Sequence, residues 1–187
     1  MSWSSIYTMD VWLPSLIMFL SIFSFGTILV IIPDFHDKLQ ITNRGSFMLF
    51  MVLSSIVVRY FAGQISDKYG RIFALKIGMS FLTLGMIATS FSYDYTTLML
   101  SAVVCGISVG INSPTIFAWT IDLADENKKG PAISTMLSAL EIGIIFSTLI
   151  ASLIYNNNSD NIPFAFALSS IVALFGILIL FLVKKEK

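Results

Sequence analysis

Charged residues are scarce in this sequence. Only 12% of the 187 residues are Asp, Glu, Lys or Arg, whereas a soluble domain carries about 25%. Hydrophobic residues make up 56% of the chain, and its mean hydropathy is +0.86. A soluble protein of this composition would expose large apolar patches, so we expect the chain to lie in a lipid bilayer. Because 11 basic residues balance 11 acidic residues, we expect no nucleic acid partner.

Residues that commonly carry catalytic or metal chemistry are also few. The single cysteine, Cys105, cannot form an internal disulfide. The single histidine, His36, is interpreted as a solvated loop residue at the outer end of the first apolar run. The sequence contains no Walker A, HExxH or GxSxG motif. We therefore expect no enzymatic activity, no direct use of ATP, no metal site and no cofactor.

Long apolar runs fill most of the chain instead. A transmembrane helix needs about 20 mostly apolar residues, and the connections between these runs are short. We predict an all-α membrane protein with a single transmembrane domain over residues 1–187. Pro33 is expected to end its first span. The six predicted spans cover about residues 11–33, 45–65, 72–92, 97–119, 131–155 and 163–183.

The basic residues lie mostly in alternate connections. The turn between spans two and three holds Lys68 and Arg71, and Lys76 lies just inside the next span. The turn between spans four and five holds Lys128 and Lys129, and the C-terminal tail holds Lys184, Lys185 and Lys187. Because cytoplasmic loops carry an excess of Lys and Arg, this distribution predicts that both termini are cytoplasmic. We expect a multi-pass protein of the plasma membrane.

The turn between spans two and three, residues 63–71, places acidic and basic residues between two glycines. Gly63 and Gly70 are expected to let the chain turn tightly at the membrane surface. Arg71 can donate hydrogen bonds to a carboxylate, and Asp122 lies at the cytoplasmic end of the fourth span. We predict that this pair latches the turn onto the fourth helix. The alternative is a solvated turn that only fixes the topology.

The pattern G-x-x-x-D-K/R-x-G-R in this turn resembles the signature of the major facilitator superfamily. The residues that match it are Gly63, Asp67, Lys68, Gly70 and Arg71. The resemblance implies a fold of two six-helix halves, each an inverted three-plus-three repeat. This chain resembles one half, and more closely the C-terminal half. The resemblance also implies that Asp67 and Arg71, with Asp122 as their partner, stabilise one state of a cytoplasmic gate.

In function, the resemblance implies a secondary transporter, or half of one, that moves a small solute by alternating access. The alternative is a non-transporting assembly partner, or a truncated remnant, that binds another half. We expect membrane lipid around the chain and a second six-helix half beside it. That half could be a separate chain, a missing segment or a second copy of this chain.

Polar residues inside the predicted spans are candidate functional groups, because charge is costly at membrane depth. Glu141 lies near the middle of the fifth span, at a depth similar to that of Arg59 in the second. Glu141 is a candidate proton or cation-substrate site, or else the structural partner of Arg59. Asn112 and Ser113 precede Pro114 in the fourth span. They are candidate substrate contacts, or they satisfy backbone groups that the proline leaves free.

Small residues predict one close helix contact. Gly106 and Gly110 form a small-xxx-small pair on the fourth span, and Ser134 and Ser138 have the same spacing on the fifth. We therefore expect the fourth and fifth helices to pack closely through these residues.

Overall fold

The computed structural model describes residues 9–183, and the regular structure of this part is helical. Short 3-10 turns at Met9–Val11, Glu126–Lys128 and Ser159–Asn161 precede the first, fifth and sixth long helices. All six long helices are long and apolar enough to cross a membrane, which confirms the predicted fold class. They are α1 (Trp12–Lys38), α2 (Ser46–Tyr69), α3 (Arg71–Ser90), α4 (Tyr95–Leu123), α5 (Lys129–Tyr155) and α6 (Ile162–Leu182). The tail lysines used above to orient the chain, Lys184, Lys185 and Lys187, lie outside the described residues.

Helix α1 continues beyond Pro33, so the prediction that this proline ends the first span is wrong. A proline removes one backbone N–H from the helix but does not prevent the next turn from forming. That turn is held by His36, which is fully buried rather than solvated. Its Nδ1 donates to the Ile32 carbonyl at 2.8 Å, and its Nε2 lies 3.1 Å from Ser46 Oγ at the start of α2.

The helices pack in a symmetric pattern. Helix α1 packs mainly on α5, and α4 packs correspondingly on α2. Helix α3 packs on α4 as α6 packs on α1, and α3 and α6 pack on each other. Exchanging helices α1–α3 with α4–α6 therefore preserves the main contacts. An odd number of helices per unit inverts the second unit, so this is the contact pattern of an inverted three-plus-three repeat.

Polar side chains join the connections at each end of the bundle. At one end, Lys38 donates to the Ser159 carbonyl at 2.8 Å and lies 3.6 Å from Asp160, which links the α1–α2 and α5–α6 connections. At the other end, Arg71 at the start of α3 contacts Asp122 near the end of α4. The two ends of the bundle are thus each fastened by ion pairs between connections that are distant in sequence.

The glycines of α4 pack on α2 and not on the predicted serines of α5. A Cβ at Gly106 would lie 2.2 Å from the Met51 carbonyl oxygen, and one at Gly110 would lie 2.7 Å from the Ser55 carbonyl oxygen. The predicted contact with α5 is therefore wrong: Ser134 is exposed on the outer surface of α5. Helices α2 and α5 are the least buried of the six within the described part of the chain.

Candidate gate and cavity

The connection between α2 and α3 is shorter than the sequence predicts. Residues 63–69 continue α2, and Gly70 alone separates it from α3. Gly70 has φ 94° and ψ 153°, a conformation that is essentially restricted to glycine. Gly63 lies inside the helix, and a Cβ there would meet no atom within 4 Å. The expectation that both glycines form the turn is wrong for Gly63, because the α2 helix does not end before Tyr69.

Arg71 is the centre of the polar contacts at this end of the bundle. Its Nε donates to Asp122 Oδ2 at 2.8 Å, and its Nη1 donates to Ser66 Oγ at 2.9 Å and to Asp67. The Arg71 side chain is 24% exposed, whereas those of Asp67 and Asp122 are 68% and 51% exposed. We call Asp67, Arg71 and Asp122 the Arg71 cluster. It connects the end of α2, the start of α3 and the end of α4.

The other cation of the sequence motif, Lys68, lies outside this cluster. Its side chain is exposed, and its Nζ lies 5.2 Å from the centre of the neighbouring Tyr69 ring. Within residues 9–183, Lys68 forms no ion pair. Of the two motif cations, only Arg71 forms an ion pair with α4 within the described residues.

A cavity of about 220 Å³ lies between α1 and α4, with Leu82 of α3 and Leu140 of α5 on its walls. Most of its lining is apolar, and the polar groups are neutral. Those that line it are Ser21, Ser24, Asn112 and Ser113. The described side chains of this cavity thus offer hydrogen bonds but no charge.

Asn112 and Ser24 have unused hydrogen-bonding capacity. Asn112 Nδ2 donates to Ser108 Oγ at 3.1 Å and lies 3.3 Å from Ser21 Oγ. Asn112 Oδ1 and Ser24 Oγ are buried and have no partner among the described residues. Unpartnered buried polar atoms are rare and are often satisfied by a ligand or water. Two of them beside one cavity make it a candidate binding site.

Ser21 and Ser24 were not among the residues that the sequence singled out. Serine is common in membrane helices, where its hydroxyl can bond to the preceding turn, so its presence alone carries little information. The signal that could have identified the pair is its spacing, because residues three apart share one helix face. That face of α1 is opposite Asn112.

Arg59 and Glu141 do not form the predicted pair. Both side chains are exposed, and the described part of the chain contains no ion pair between them. Helix α2 packs on α4, and α5 packs on α1, while α1 and α4 contact each other. These two central helices therefore separate α2 from α5.

Across residues 9–183, the His, Cys, Asp and Glu side chains form no group of three or more that could hold a metal ion.

Comparison with known proteins gives one consistent family. The family model of the Major Facilitator Superfamily matches residues 11–187. The arabinose-proton symporter of Escherichia coli K12 is 30% identical over 126 residues, which are 66% of this chain and 27% of that protein. The quinolone resistance protein NorA of Staphylococcus aureus is 24% identical over 151 residues, which are 80% of this chain and 39% of NorA.

Solved structures give the same fold. The proton:xylose symporter XylE bound to 6-bromo-6-deoxy-D-glucose matches with a TM-score of 0.82 at 17% identity, over 94% of this chain and 44% of that chain. The inward-open xylose transporter XylE from E. coli matches with a TM-score of 0.73 at 18% identity, over 94% and 48%. The chain thus spans less than half the length of these relatives, which is the size of one six-helix half. The chain belongs to the major facilitator superfamily, whose members are multi-pass membrane transporters and not enzymes.

Proposed function

We propose that this chain forms half of a secondary transporter that moves a small solute by alternating access, with the Arg71 cluster as its cytoplasmic gate latch. The observation that carries this proposal is the double engagement of Arg71, which binds Asp67 at the end of α2 and Asp122 at the end of α4. The same side chain therefore holds three helix ends together. Their separation would require these bonds to break.

The strength of the Arg71 cluster suits a latch that opens. Ion pairs with exposed partners contribute about 0.2–1 kcal/mol each, and a hydrogen bond contributes about 1 kcal/mol. Two conformations that interconvert during function differ by only a few kcal/mol. Loss of the Arg71 contacts would thus shift such an equilibrium without unfolding the helices.

A second six-helix unit is part of the proposal. Helices α2 and α5 are the least covered helices of the bundle, and they carry the exposed charges of Arg59 and Glu141. A charged side chain at the centre of a lipid-exposed helix costs about 2.5–3.5 kcal/mol on insertion scales. A partner half or a water-filled cavity against these faces would avoid that cost. The partner is a separate chain, a further segment of a longer chain, or a second copy of this one.

The solute is proposed to occupy the cavity between α1 and α4. Asn112 and Ser24 line this cavity, and each carries a buried polar atom that has no partner among the described residues. The lining side chains carry no charge, which favours a neutral solute with hydroxyl or amide groups. A sugar, as named for the arabinose-proton symporter, fits this chemistry better than a charged solute. We propose Glu141 as the proton-coupling group.

The protein is further proposed to lie in the plasma membrane with both termini in the cytoplasm.

Counterflow in proteoliposomes tests the proposal. The full chain would be reconstituted alone and together with candidate partner halves, and exchange of radiolabelled neutral sugars would be measured. We expect saturable exchange that Asn112→Leu abolishes and that Ser134→Ala, an exposed change on α5, leaves intact. Exchange by the chain alone would identify the partner as a second copy. Absence of exchange of any tested solute, with and without a partner half, would refute the transport proposal.

The role of Glu141 has its own test. Glu141→Gln removes the ionisable group while preserving the shape of the side chain. If Glu141 couples proton movement to uptake, the variant should keep counterflow but lose the pH dependence of net uptake. Unchanged uptake and pH dependence in a folded variant would remove Glu141 from the coupling role.

A further inference from the structure

Two opposite charges lie at nearly the same depth in the bundle. Arg59 on α2 and Glu141 on α5 are both exposed, and neither forms an ion pair within residues 9–183. Helix α2 ends at Tyr69 and α5 begins at Lys129, both at the end of the bundle that carries the Arg71 cluster. At about 1.5 Å per residue, Arg59 lies about 15 Å and Glu141 about 18 Å from that end. Because the hydrocarbon core is about 30 Å thick, both charges lie near its middle.

The helices that carry these charges lie at opposite ends of one row. Helix α5 packs mainly on α1, α1 contacts α4, and α4 packs on α2, which gives the order α5, α1, α4, α2. Helices α3 and α6 pack on each other and on the two central helices, so they lie behind the row. The six described helices leave the other side of the row uncovered. We call this side the open face.

The open face is complementary to a copy of itself. A two-fold axis parallel to the helices exchanges the two ends of the row. A second copy placed against the open face therefore sets its α5 opposite α2 and its α2 opposite α5. Each contact across such an interface occurs twice. Because Arg59 and Glu141 lie at similar depths, opposite charges approach each other at both ends of the interface.

We propose that the second six-helix unit is a second copy of this chain, bound through two reciprocal ion pairs between Arg59 of one copy and Glu141 of the other. The inference rests on the proposed function only for the need of a second unit, and it requires no transport. Each copy supplies the countercharge that the other lacks, so neither charge has to face lipid. A separate chain would need an acidic and a basic residue at matching positions, whereas this chain already carries both.

Energy transfer between labelled copies measures the association. Donor-labelled and acceptor-labelled full chains would be mixed in liposomes over a range of protein-to-lipid ratios. We expect transfer in the wild type. Arg59→Glu and Glu141→Arg should each weaken association about a hundredfold, because each change removes two symmetric charged contacts worth about a factor of ten apiece. The double reversal should restore association, and Arg44→Glu, an exposed change in the α1–α2 connection, should leave it unchanged.

Thiol cross-linking locates the contact and uses no reversed charge. Differently tagged Arg59→Cys and Glu141→Cys chains would be reconstituted together and treated with a short bismaleimide, from which buried Cys105 is protected. One of the two ion pairs remains intact in this mixed dimer. We expect a cross-link between the two chains. Phe175→Cys, an exposed position on α6 behind the row, should form none with Arg59→Cys.

The outcomes separate this proposal from the transport proposal. Absence of transfer in the wild type, or equal transfer in the wild type and both single reversals, would overturn it. Loss of the transfer on addition of a candidate partner half would assign the open face to that half instead. Such results would not affect transport with a separate half, which counterflow tests independently. If a reversed charge prevents insertion, the cross-link decides, and its absence would overturn the proposal.

Discussion

Replacement of Arg71 by glutamine should loosen the α2–α3 connection without unfolding the bundle. The change removes hydrogen bonds from Arg71 to Asp122 Oδ2, to Ser66 Oγ and to Asp67. The bond to buried Ser66 contributes about 1 kcal/mol, and each ion pair with a half-exposed carboxylate adds about 0.2–1 kcal/mol. We therefore expect local opening to become easier by about 1–2 kcal/mol, a factor of about 5–30.

Hydrogen exchange measures this opening. The amide of Gly70 bonds to the Ser66 carbonyl at 3.0 Å, and that of Ala74 bonds to the Gly70 carbonyl at 3.2 Å. Both amides should exchange about 5–30 times faster in Arg71→Gln, because local opening limits their exchange. Arg44→Gln, which breaks the exposed pair with Asp37 at the other end of the bundle, should leave them unchanged.

A double-mutant cycle isolates the contact between α3 and α4. Asp122→Asn alone should accelerate exchange less than Arg71→Gln, because it removes only one of the three bonds. If the two side chains interact as observed, the double variant should be less destabilised than the sum of the single variants by about 0.5–1 kcal/mol. Strict additivity of the two effects would refute the argument that Arg71 links α3 to α4.

Three further predictions concern glycines in the helices and their turn, and a fourth concerns one helix cap. Gly70→Ala should lower the thermal midpoint, because the glycine-only conformation at φ 94° costs other residues about 1–3 kcal/mol. Gly63→Ala should raise the midpoint slightly, because alanine in the helix interior is more stable than glycine by up to about 1 kcal/mol and its Cβ meets no neighbour. A lower midpoint for Gly63→Ala would contradict this argument, and a higher one for Gly70→Ala would contradict the argument about Gly70. Gly106→Ala should cost about 1–3 kcal/mol in the same unfolding assay because its Cβ would collide with the α2 backbone, and a neutral result would show that α2 can move away. The hydroxyl and backbone N–H of Thr97 hold the pKa of Asp94 below its ordinary value, so this cap stabilises the fold above about pH 4 and loses its effect as pH falls through the lower folded-state pKa. The difference in Tm between the wild type and the non-titrating Asp94→Asn variant should therefore shrink in acid, and a constant difference would assign the pH dependence to other groups.

Much of the fold could be predicted because lipid leaves few choices for an apolar chain. Backbone groups in lipid must be satisfied within a helix or a closed barrel, so six long apolar runs predict six helices. The contact of Arg71 with Asp122 could also be predicted, since a donor and a carboxylate at the same end of adjacent helices can reach each other. Its role as a gate stays a prediction.

The errors arose where tertiary contacts override local signals. A proline inside an apolar run often ends a helix. Here α1 continues past Pro33, and buried His36 in the next turn contacts Ser46 at the start of α2. Gly63 has no reason to break α2, because its φ is not positive and no turn is required there. Ser24 became a candidate only when its neighbours showed that its hydroxyl is buried without a partner.

The amino-acid sequence by itself determined that the chain lies in a lipid bilayer, how many helices it forms and which motif it carries. These three properties follow from composition, from the length of the apolar runs and from local residue order. The tertiary structure decided which polar groups meet. It separated Arg59 from Glu141 by placing α1 and α4 between their helices, and it brought Ser24 and Asn112 to one cavity. Within residues 9–183, it also left the Trp119 indole N–H buried without a hydrogen-bond partner. Such encounters depend on how helices distant in sequence pack, and residue spacing within one helix carries no information about that packing.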